Sequence, residues 1–286
     1  MAEDSARRVS FFQKQQTECP VCSASFHREE MLSGGGRLIA KTITDELRRT
    51  YEPGRHAGDL NPLLYPVSVC PSCLYAAYPE DFPHIRGELV PIARSQRNKR
   101  REDIAAVLPE ADFRKPRNLQ SGAGSYILSI GCYSFQPKER APTFKKALSS
   151  LRAAWTFDDL DKKYPSRGYG RIRLLLYRKA IDYYERTINF AQSGEERIDA
   201  VKHFGPDLDK NYGFQGVLFM FALLLFKYGD QEDKARRIAQ LQSSKRIISR
   251  VFGTGKSSKS KPSLVLDRAK ELYEKIGEKV EELSSR

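Results

Sequence analysis

The 286-residue sequence lacks an apolar stretch long enough to cross a membrane, and its first residues lack the apolar core of a signal peptide. The longest strongly apolar run is Val217 to Phe226, ten residues, whereas a membrane-spanning helix needs about 20. Cysteine is also scarce, and an odd number of five without an export signal argues against a disulfide scaffold. We therefore expect a soluble cytoplasmic protein without a membrane span.

Positive charge is abundant but unevenly distributed. The formal net charge is +13, yet residues 1–90 hold 10 Lys/Arg against 12 Asp/Glu. Residues 143–286 hold 29 Lys/Arg against 19 Asp/Glu, and the excess is densest in residues 143–180, with 10 against 3. The cysteine-bearing part is therefore slightly acidic, so any attraction to phosphates is expected from the downstream part.

Hydrophobic periodicity becomes helical after about residue 122. Apolar residues then recur at spacings of three and four, as in Phe144, Leu148, Leu151 and Trp155, which places them on one helix face. We predict six helices, near residues 122–135, 141–162, 168–193, 207–228, 231–251 and 263–284. Helices of this length joined by short turns favour antiparallel hairpins packed as an array. The predicted fold class is mainly α.

The preceding part of the chain is predicted to be loop-rich, because turn dipeptides break it into short pieces. We expect a helix from about Thr42 to Tyr51, a short strand from Leu63 to Val69, and a small-residue breaker from Ser121 to Ser125. We also expect few apolar contacts to anchor residues 94–117. The predicted boundaries are a flexible N-terminus at 1–16, a zinc-binding region at 17–93, a basic connector at 94–120 and a helical repeat-like domain at 121–286 with a flexible loop at 253–262.

Four of the five cysteines form two Cys-x-x-Cys pairs, Cys19-Pro20-Val21-Cys22 and Cys70-Pro71-Ser72-Cys73. Within such a pair the chain folds back so that both sulfurs face one metal ion. Two pairs supply the four thiolates that satisfy Zn²⁺ in a tetrahedral structural site. The repeated proline after the first cysteine stiffens each turn. We predict that Cys19, Cys22, Cys70 and Cys73 bind one structural Zn²⁺.

Alternatives to this zinc site are a redox centre, another metal, or no metal. A thioredoxin-like redox centre is disfavoured because no βαβ pattern surrounds either pair. His27 and His84 follow their pairs closely enough to replace a cysteine ligand, although a surface histidine is the commoner interpretation. Ser23 and Leu74 follow the second cysteine of each pair, where a left-handed conformation is usual. Leu is strained there, so we expect the second turn to differ in shape.

The cysteine pairs belong to a longer pattern that resembles the bacterial domain-of-unknown-function 2225 family. The pattern consists of Cys19-Pro20-Val21-Cys22 with Phe26, Asn61-Pro62 with Tyr65, Cys70-Pro71-Ser72-Cys73 with Tyr75-Ala76, Ser125-Tyr126-Ile127-Leu128, and Leu151 to Trp155. The resemblance spans most of residues 17–240, although Leu74 stands where the family favours Gly. It implies a cysteine-rich N-terminal part followed by tetratricopeptide-like helices, and it implies no assigned activity. The tetratricopeptide pattern itself is degenerate, since Lys234 occupies a position that favours a small residue.

Several candidate catalytic features fail on inspection. Gly253 to Ser257 suggests a phosphate-binding loop, but it lacks the required upstream Gly and the strand–loop–helix context. Four cysteine ligands leave no open position for a catalytic water. The carboxylates of Asp158, Asp159 and Asp161 are interpreted as a solvated surface cluster, and Cys132 as a small buried residue.

The sequence therefore favours a non-enzymatic, zinc-stabilised interaction or scaffold module that binds an unidentified protein partner through its helical array. The aromatic stripe of Tyr177, Tyr183, Tyr184 and Phe190 is interpreted as core rather than as a ligand site. The alternative is a nucleic-acid-binding protein with a basic helical surface, and an enzyme of unknown type ranks third. The distinguishing feature is whether the basic residues of 143–180 share one face.

Overall fold

The computed structural model describes residues 9–32, 38–53, 60–252 and 263–285. An N-terminal part, here called the head (residues 9–107 where described), precedes a stack of helices, here called the array (residues 119–285 where described). The predicted fold class, mainly α with a small loop-rich cysteine-bearing region, is confirmed. The strands are β1 (Ser10–Glu18), β2 (Ser25–Met31), β3 (Leu38–Ile43), β4 (Arg49–Pro53), β5 (Ser68–Val69) and β6 (Ala76–Ala77). The helices are α1 (Val90–Ser95), α2 (Arg97–Val107), α3 (Leu119–Cys132), α4 (Pro142–Lys163), α5 (Tyr169–Ser193), α6 (Gly213–Tyr228), α7 (Lys234–Phe252) and α8 (Ser263–Ser285).

The described strands of the head pair as three antiparallel two-stranded ribbons, β1–β2, β3–β4 and β5–β6. In the first ribbon Glu18 pairs with Ser25, and a bulge lies between Phe12 and Gln16. The predicted flexible N-terminus is therefore wrong for residues 10–16, which lie in β1, while residues 1–8 lie outside the described residues. The strand was not predicted because this segment is mostly polar, and β1 exposes most of its side chains.

The helix predicted from Thr42 to Tyr51 is wrong, because this segment forms the β3–β4 ribbon. Thr42 and Thr50 face each other across the strands, with their hydroxyl oxygens 2.9 Å apart. β-Branched threonines favour such pairing. Leu47 turns the chain with φ of 58° and is completely buried. Contacts with the array hold this strained turn, and the local sequence carries no sign of them.

The strand predicted from Leu63 to Val69 is wrong for its first half. Residues Pro62–Leu64 form one turn of 3₁₀ helix, capped by Asn61, whose side-chain oxygen accepts a hydrogen bond from Leu63 N at 3.1 Å. Only Ser68 and Val69 are extended as β5. Pro62 at the first helical position favours the turn, since proline fixes φ and needs no donor there.

All six helices predicted for the array are present, as α3 to α8. The largest boundary error is at α6, predicted from residue 207 but beginning at Gly213 with φ of 62°. Residues 253–262, predicted to be a flexible loop, lie outside the described residues. Each helix from α3 to α8 packs against the next.

The small residues Ser121 to Ser125 do not break the chain but form part of α3. They are small because the head lies against them. A Cβ atom added to Gly122 would lie 2.4 Å from Leu64 Cδ2 and 3.1 Å from its Cα. The helix begins with a capping box, in which Asn118 accepts from Ser121 N at 2.8 Å and Ser121 Oγ accepts from Asn118 N at 2.9 Å.

The tip of the β3–β4 ribbon inserts a carboxylate between three helices of the array. Glu46 is 5% exposed, and Oε2 accepts hydrogen bonds from Trp155 Nε1 at 2.6 Å and from Tyr177 OH at 2.8 Å. Its Oε1 accepts from Lys227 Nζ at 2.5 Å and Tyr228 OH at 2.8 Å. Four donors satisfy this buried charge, so the contact ties the head to α4, α5 and α6.

Candidate metal centre

The first cysteine pair lies in the turn that joins β1 to β2. Ser23 N donates to Cys19 O at 2.9 Å, and Cys19 N donates to Ala24 O at 3.0 Å. These bonds fold the chain back so that both sulfurs lie on the same side. Ser23 reverses the chain with φ of 57°, in the left-handed region.

The second pair lies in the turn that joins β5 to β6 and repeats the same geometry. Leu74 N donates to Cys70 O at 2.9 Å, and Cys70 N donates to Tyr75 O at 2.9 Å. Leu74 has φ of 58°, so the expectation of a different shape is wrong. Strain of about 1–2 kcal/mol at this residue is offset by the turn's hydrogen bonds and by burial of the Leu74 side chain.

The four predicted cysteines come together although 47 residues separate the two pairs. Their Sγ atoms all lie within 4.8 Å of one another, with Cys19 and Cys73 at 3.6 Å and Cys22 and Cys70 at 3.7 Å. A disulfide requires about 2.05 Å, and all four are free thiols. Metal–sulfur bonds of about 2.3 Å in a tetrahedron give sulfur–sulfur edges of about 3.8 Å. The cluster therefore has the donors and spacing for a tetrahedral metal ion.

Hydrogen bonding between thiols shifts the pKa values of Cys19 and Cys70 in opposite directions. Hydrogen bonding with Cys70 raises the pKa of Cys19, while hydrogen bonding with Cys19 lowers the pKa of Cys70. Cys19, Cys70 and Cys73 are buried, and Cys22 is half-buried. One thiolate in this group is thus stabilised by its neighbours' protons, a role that a cation performs for all four when it binds.

Neither histidine considered as a replacement ligand belongs to the cluster. His27 Nδ1 donates to Gln13 O at 2.7 Å, and its Nε2 is 3.4 Å from Gln16 Nε2. His84 is exposed. Within the described part of the chain, the group that brings metal-ligating side chains together consists of cysteines alone.

Comparison with known proteins identifies the family to which the chain belongs. The model for a family described as "Uncharacterized protein conserved in bacteria (DUF2225)" matches residues 12–276. The chain belongs to the DUF2225 family. An uncharacterized protein of Borreliella burgdorferi is 39% identical over 277 residues, which are 97% of this chain and 99% of the relative. No solved structure matches the chain.

The residues that carry the DUF2225 pattern join the head to the array. Asn61 Nδ2 donates to Asp159 Oδ2 at 3.1 Å. Tyr126 OH donates to Leu63 O at 2.7 Å, and Tyr75 OH accepts from Gln136 Nε2 at 2.6 Å. The pattern therefore combines possible metal ligands with residues at the head–array junction.

Arginines of helices α1 and α2 donate hydrogen bonds to both cysteine turns. The sequence did not predict these contacts. Arg94 Nε donates to Val21 O at 2.9 Å, and Arg101 Nη2 donates to Ser72 O at 2.8 Å. Arg100 donates from Nε at 3.0 Å and Nη2 at 2.8 Å to Cys73 O. Residues 94–117 are therefore anchored, contrary to expectation, by these polar contacts and by the buried apolar side chains of Ile104 and Leu108. The close spacing of Arg94, Arg97, Arg100 and Arg101 was the available signal, since residues three and four apart share one face of a helix.

The carboxylates near the end of α4 are not a solvated surface cluster. Asp159 accepts from Arg48 Nη2 at 2.5 Å, across the head–array junction. Asp161 accepts from Gly170 N at 2.9 Å. Asp158 pairs with Lys162 at 2.6 Å and with Arg173. These carboxylates support the structure locally.

Among the residues that the structure describes, the remaining sequence candidates add no second site. Cys132 is buried as predicted, and burial raises its pKa to about 11, so it stays a neutral thiol. Of the aromatic stripe predicted as core, Tyr177 and Tyr184 are buried, whereas Tyr183 and Phe190 are only half-buried. Gly253 to Ser257 lie outside the described residues. None of the helices in the described residues is long and apolar enough to cross a membrane.

Proposed function

We propose that this DUF2225 protein holds one structural zinc ion on Cys19, Cys22, Cys70 and Cys73 and acts without catalysis as a protein-interaction module. The four-sulfur cluster carries the proposal. Zn²⁺ favours a tetrahedron of thiolates, and four thiolates leave no open position for a reactive water. With no ligand position for substrate, the ion's role is to hold the head together.

The helical array supports the protein-binding part of the proposal. We infer a tetratricopeptide-like array, because successive helices pack against one another from α3 to α8. Leu174 and Leu175 on α5 are 44% and 60% exposed. Exposed leucines on a helix of such an array suit an apolar protein contact better than a phosphate.

The placement of basic residues favours a protein partner over nucleic acid. Lys145 is buried and pairs with Glu80 at 2.8 Å and Asp81 at 3.3 Å. Arg152 is buried and donates to Pro206 O at 3.0 Å. Arg173 pairs with Asp158 on the neighbouring helix. Much of the charge in residues 143–180 is thus used inside the chain, which reduces what is available for phosphates.

Elemental analysis of freshly purified, reduced protein tests the zinc assignment. We expect one zinc per chain, loss of the metal in Cys70→Ser, and full retention in the matched control Cys132→Ser, which removes a buried thiol outside the cluster. Metal-replete protein without zinc, or with another metal, rejects the assignment.

A salt series tests the partner class. We expect weak binding to a random DNA duplex and to single-stranded RNA, lost by about 200 mM salt, because phosphate contacts depend on counterion release. Partners captured from lysate through apolar contacts should remain bound. Sequence-dependent nucleic-acid binding that survives at that salt concentration overturns the ranking in favour of nucleic acid.

A further inference from the structure

Three arginines contact the cysteine turns, and none of them pairs with a carboxylate of the described residues. Arg94, Arg100 and Arg101 lie on α1 and α2, and each donates to a backbone carbonyl within a Cys-x-x-Cys turn. In the part of the chain that the structure describes, no ion pair to Asp or Glu involves these three side chains. Three positive charges therefore converge on one small region, and the carbonyls they contact carry no net charge.

Among the three arginines, Arg100 is the buried one, and its positive charge has no opposite charge paired with it in the described residues. The Arg100 residue is 8% exposed, and its Nη1 is buried without a hydrogen-bond partner in the described structure. A buried guanidinium without an opposite charge is strongly unfavourable. A neutral carbonyl such as Cys73 O satisfies hydrogen bonds but does not neutralise the charge.

Once a metal binds, the sulfur cluster carries a negative charge that lacks a positive partner. A divalent ion held by four thiolates is a dianion, and such a charge in a mostly buried site also needs compensation. Cys73 links the uncompensated positive charge of Arg100 to the negative charge of the cluster. Its sulfur belongs to the cluster, and its carbonyl accepts both hydrogen bonds from Arg100.

We infer that Arg94, Arg100 and Arg101 are the counter-charge of a metal–tetrathiolate dianion, with Arg100 as the principal positioning residue. The inference rests on the proposed zinc site and adds a role for chain residues that do not bind the ion. It explains why a basic segment follows a slightly acidic cysteine region. Outer partners of this kind affect metal affinity by about 10–100-fold.

Competition for Zn²⁺ with a chromogenic chelator, on the full chain, measures this role. We expect Arg100→Met to weaken zinc affinity about 10–100-fold, because methionine keeps an apolar stem without the charge. Arg100→Lys should recover part of the affinity. Arg97→Met is the matched control, since Arg97 is an exposed arginine on the same helix, and it should bind zinc as the wild type does.

A spectroscopic measurement separates charge compensation from mere structural support. In protein loaded with Co²⁺ instead of Zn²⁺, a nearby positive charge stabilises the sulfur electrons and raises the energy of the sulfur-to-cobalt charge-transfer band. Arg100→Met should shift that band to longer wavelength, while the ligand-field bands keep their tetrahedral pattern. If Arg100→Met does not fold, Arg101→Met, at an exposed position, should show a smaller shift in the same direction.

The outcomes distinguish this inference from the zinc assignment. Zinc-loaded wild type with unchanged affinity and an unshifted band in Arg100→Met rejects the counter-charge role alone. Equal losses in Arg100→Met and Arg97→Met reject it as well, because the effect is then not specific to the cluster. Wild-type protein that binds no zinc rejects the zinc site itself.

Discussion

The head and the array are stabilised in different ways. The described head consists of two-stranded ribbons and short helices, and isolated two-stranded ribbons are marginally stable in water. Besides buried apolar residues such as Val21 and Phe82, it has several polar fixed points: four thiols, arginines on carbonyls, and Glu46 between the helices. The array consists of helices of 14 to 25 residues that pack through apolar stripes. Such helices derive their stability from packing.

This difference explains why the candidate metal centre and the candidate binding surface lie in separate parts of the chain. A region built from two-residue to nine-residue strands and short helices relies on a few strong local connections, so a metal ion has a large effect there. The array tolerates variable surface residues because its core lies between helices. The hydrogen bonds of Glu46 join the two regions. A substitution that destabilises one region is therefore expected to destabilise the other as well.

Loss of a cysteine ligand should separate the two regions most strongly. Binding of structural zinc contributes on the order of 10 kcal/mol in small zinc domains. In Cys70→Ser we expect the head to become sensitive to protease while a fragment beginning near α3 resists digestion. Digestion of both regions at equal rates would show that they fold as one unit.

Removing the Glu46 carboxylate should weaken the junction. Glu46→Ala leaves the Lys227 charge and three further donors without their acceptor, which costs about 3–5 kcal/mol. Because Trp155 is the single tryptophan and donates to Glu46, its fluorescence reports the change during urea unfolding. Asp45→Ala is the matched control, since Asp45 pairs with Lys227 from an exposed position and should cost less than about 1 kcal/mol.

A cavity in the array should lower stability without affecting the metal. Leu151 on α4 is completely buried, so Leu151→Ala should lower the free energy of unfolding by about 2–5 kcal/mol. Zinc content, measured by elemental analysis, should stay at the wild-type value. Loss of metal in this variant would contradict independent stabilisation of the head.

The sequence predicted the array and the cysteine cluster because both depend on local patterns. Spacings of three and four residues define α3 to α8, and Cys-x-x-Cys spacing identifies the thiols. Two of the errors occur where residues distant in sequence meet. Leu47 adopts a left-handed turn where Glu46 fits between helices, and Gly122 lies within a helix where Leu64 of the head packs against it.

Exposed ion pairs of the head should matter least. Lys99 and Asp103 form an i,i+4 pair at 3.2 Å on α2, with both side chains exposed. Lys99→Ala should change the free energy of unfolding by about 0.3–0.5 kcal/mol and leave zinc affinity unchanged. A large effect on zinc affinity would mean that charge on α2 acts at long range, rather than through the three arginines at the turns.

Hydrogen exchange before and after metal chelation tests the central claim most directly, namely that a bound metal stabilises the head while apolar packing stabilises the array. On adding a chelator to the reduced protein, we expect amide protection to fall in both cysteine turns and in α2. Protection in α4 and α5 should remain. Unchanged protection throughout, or a uniform loss over head and array, would contradict the claim.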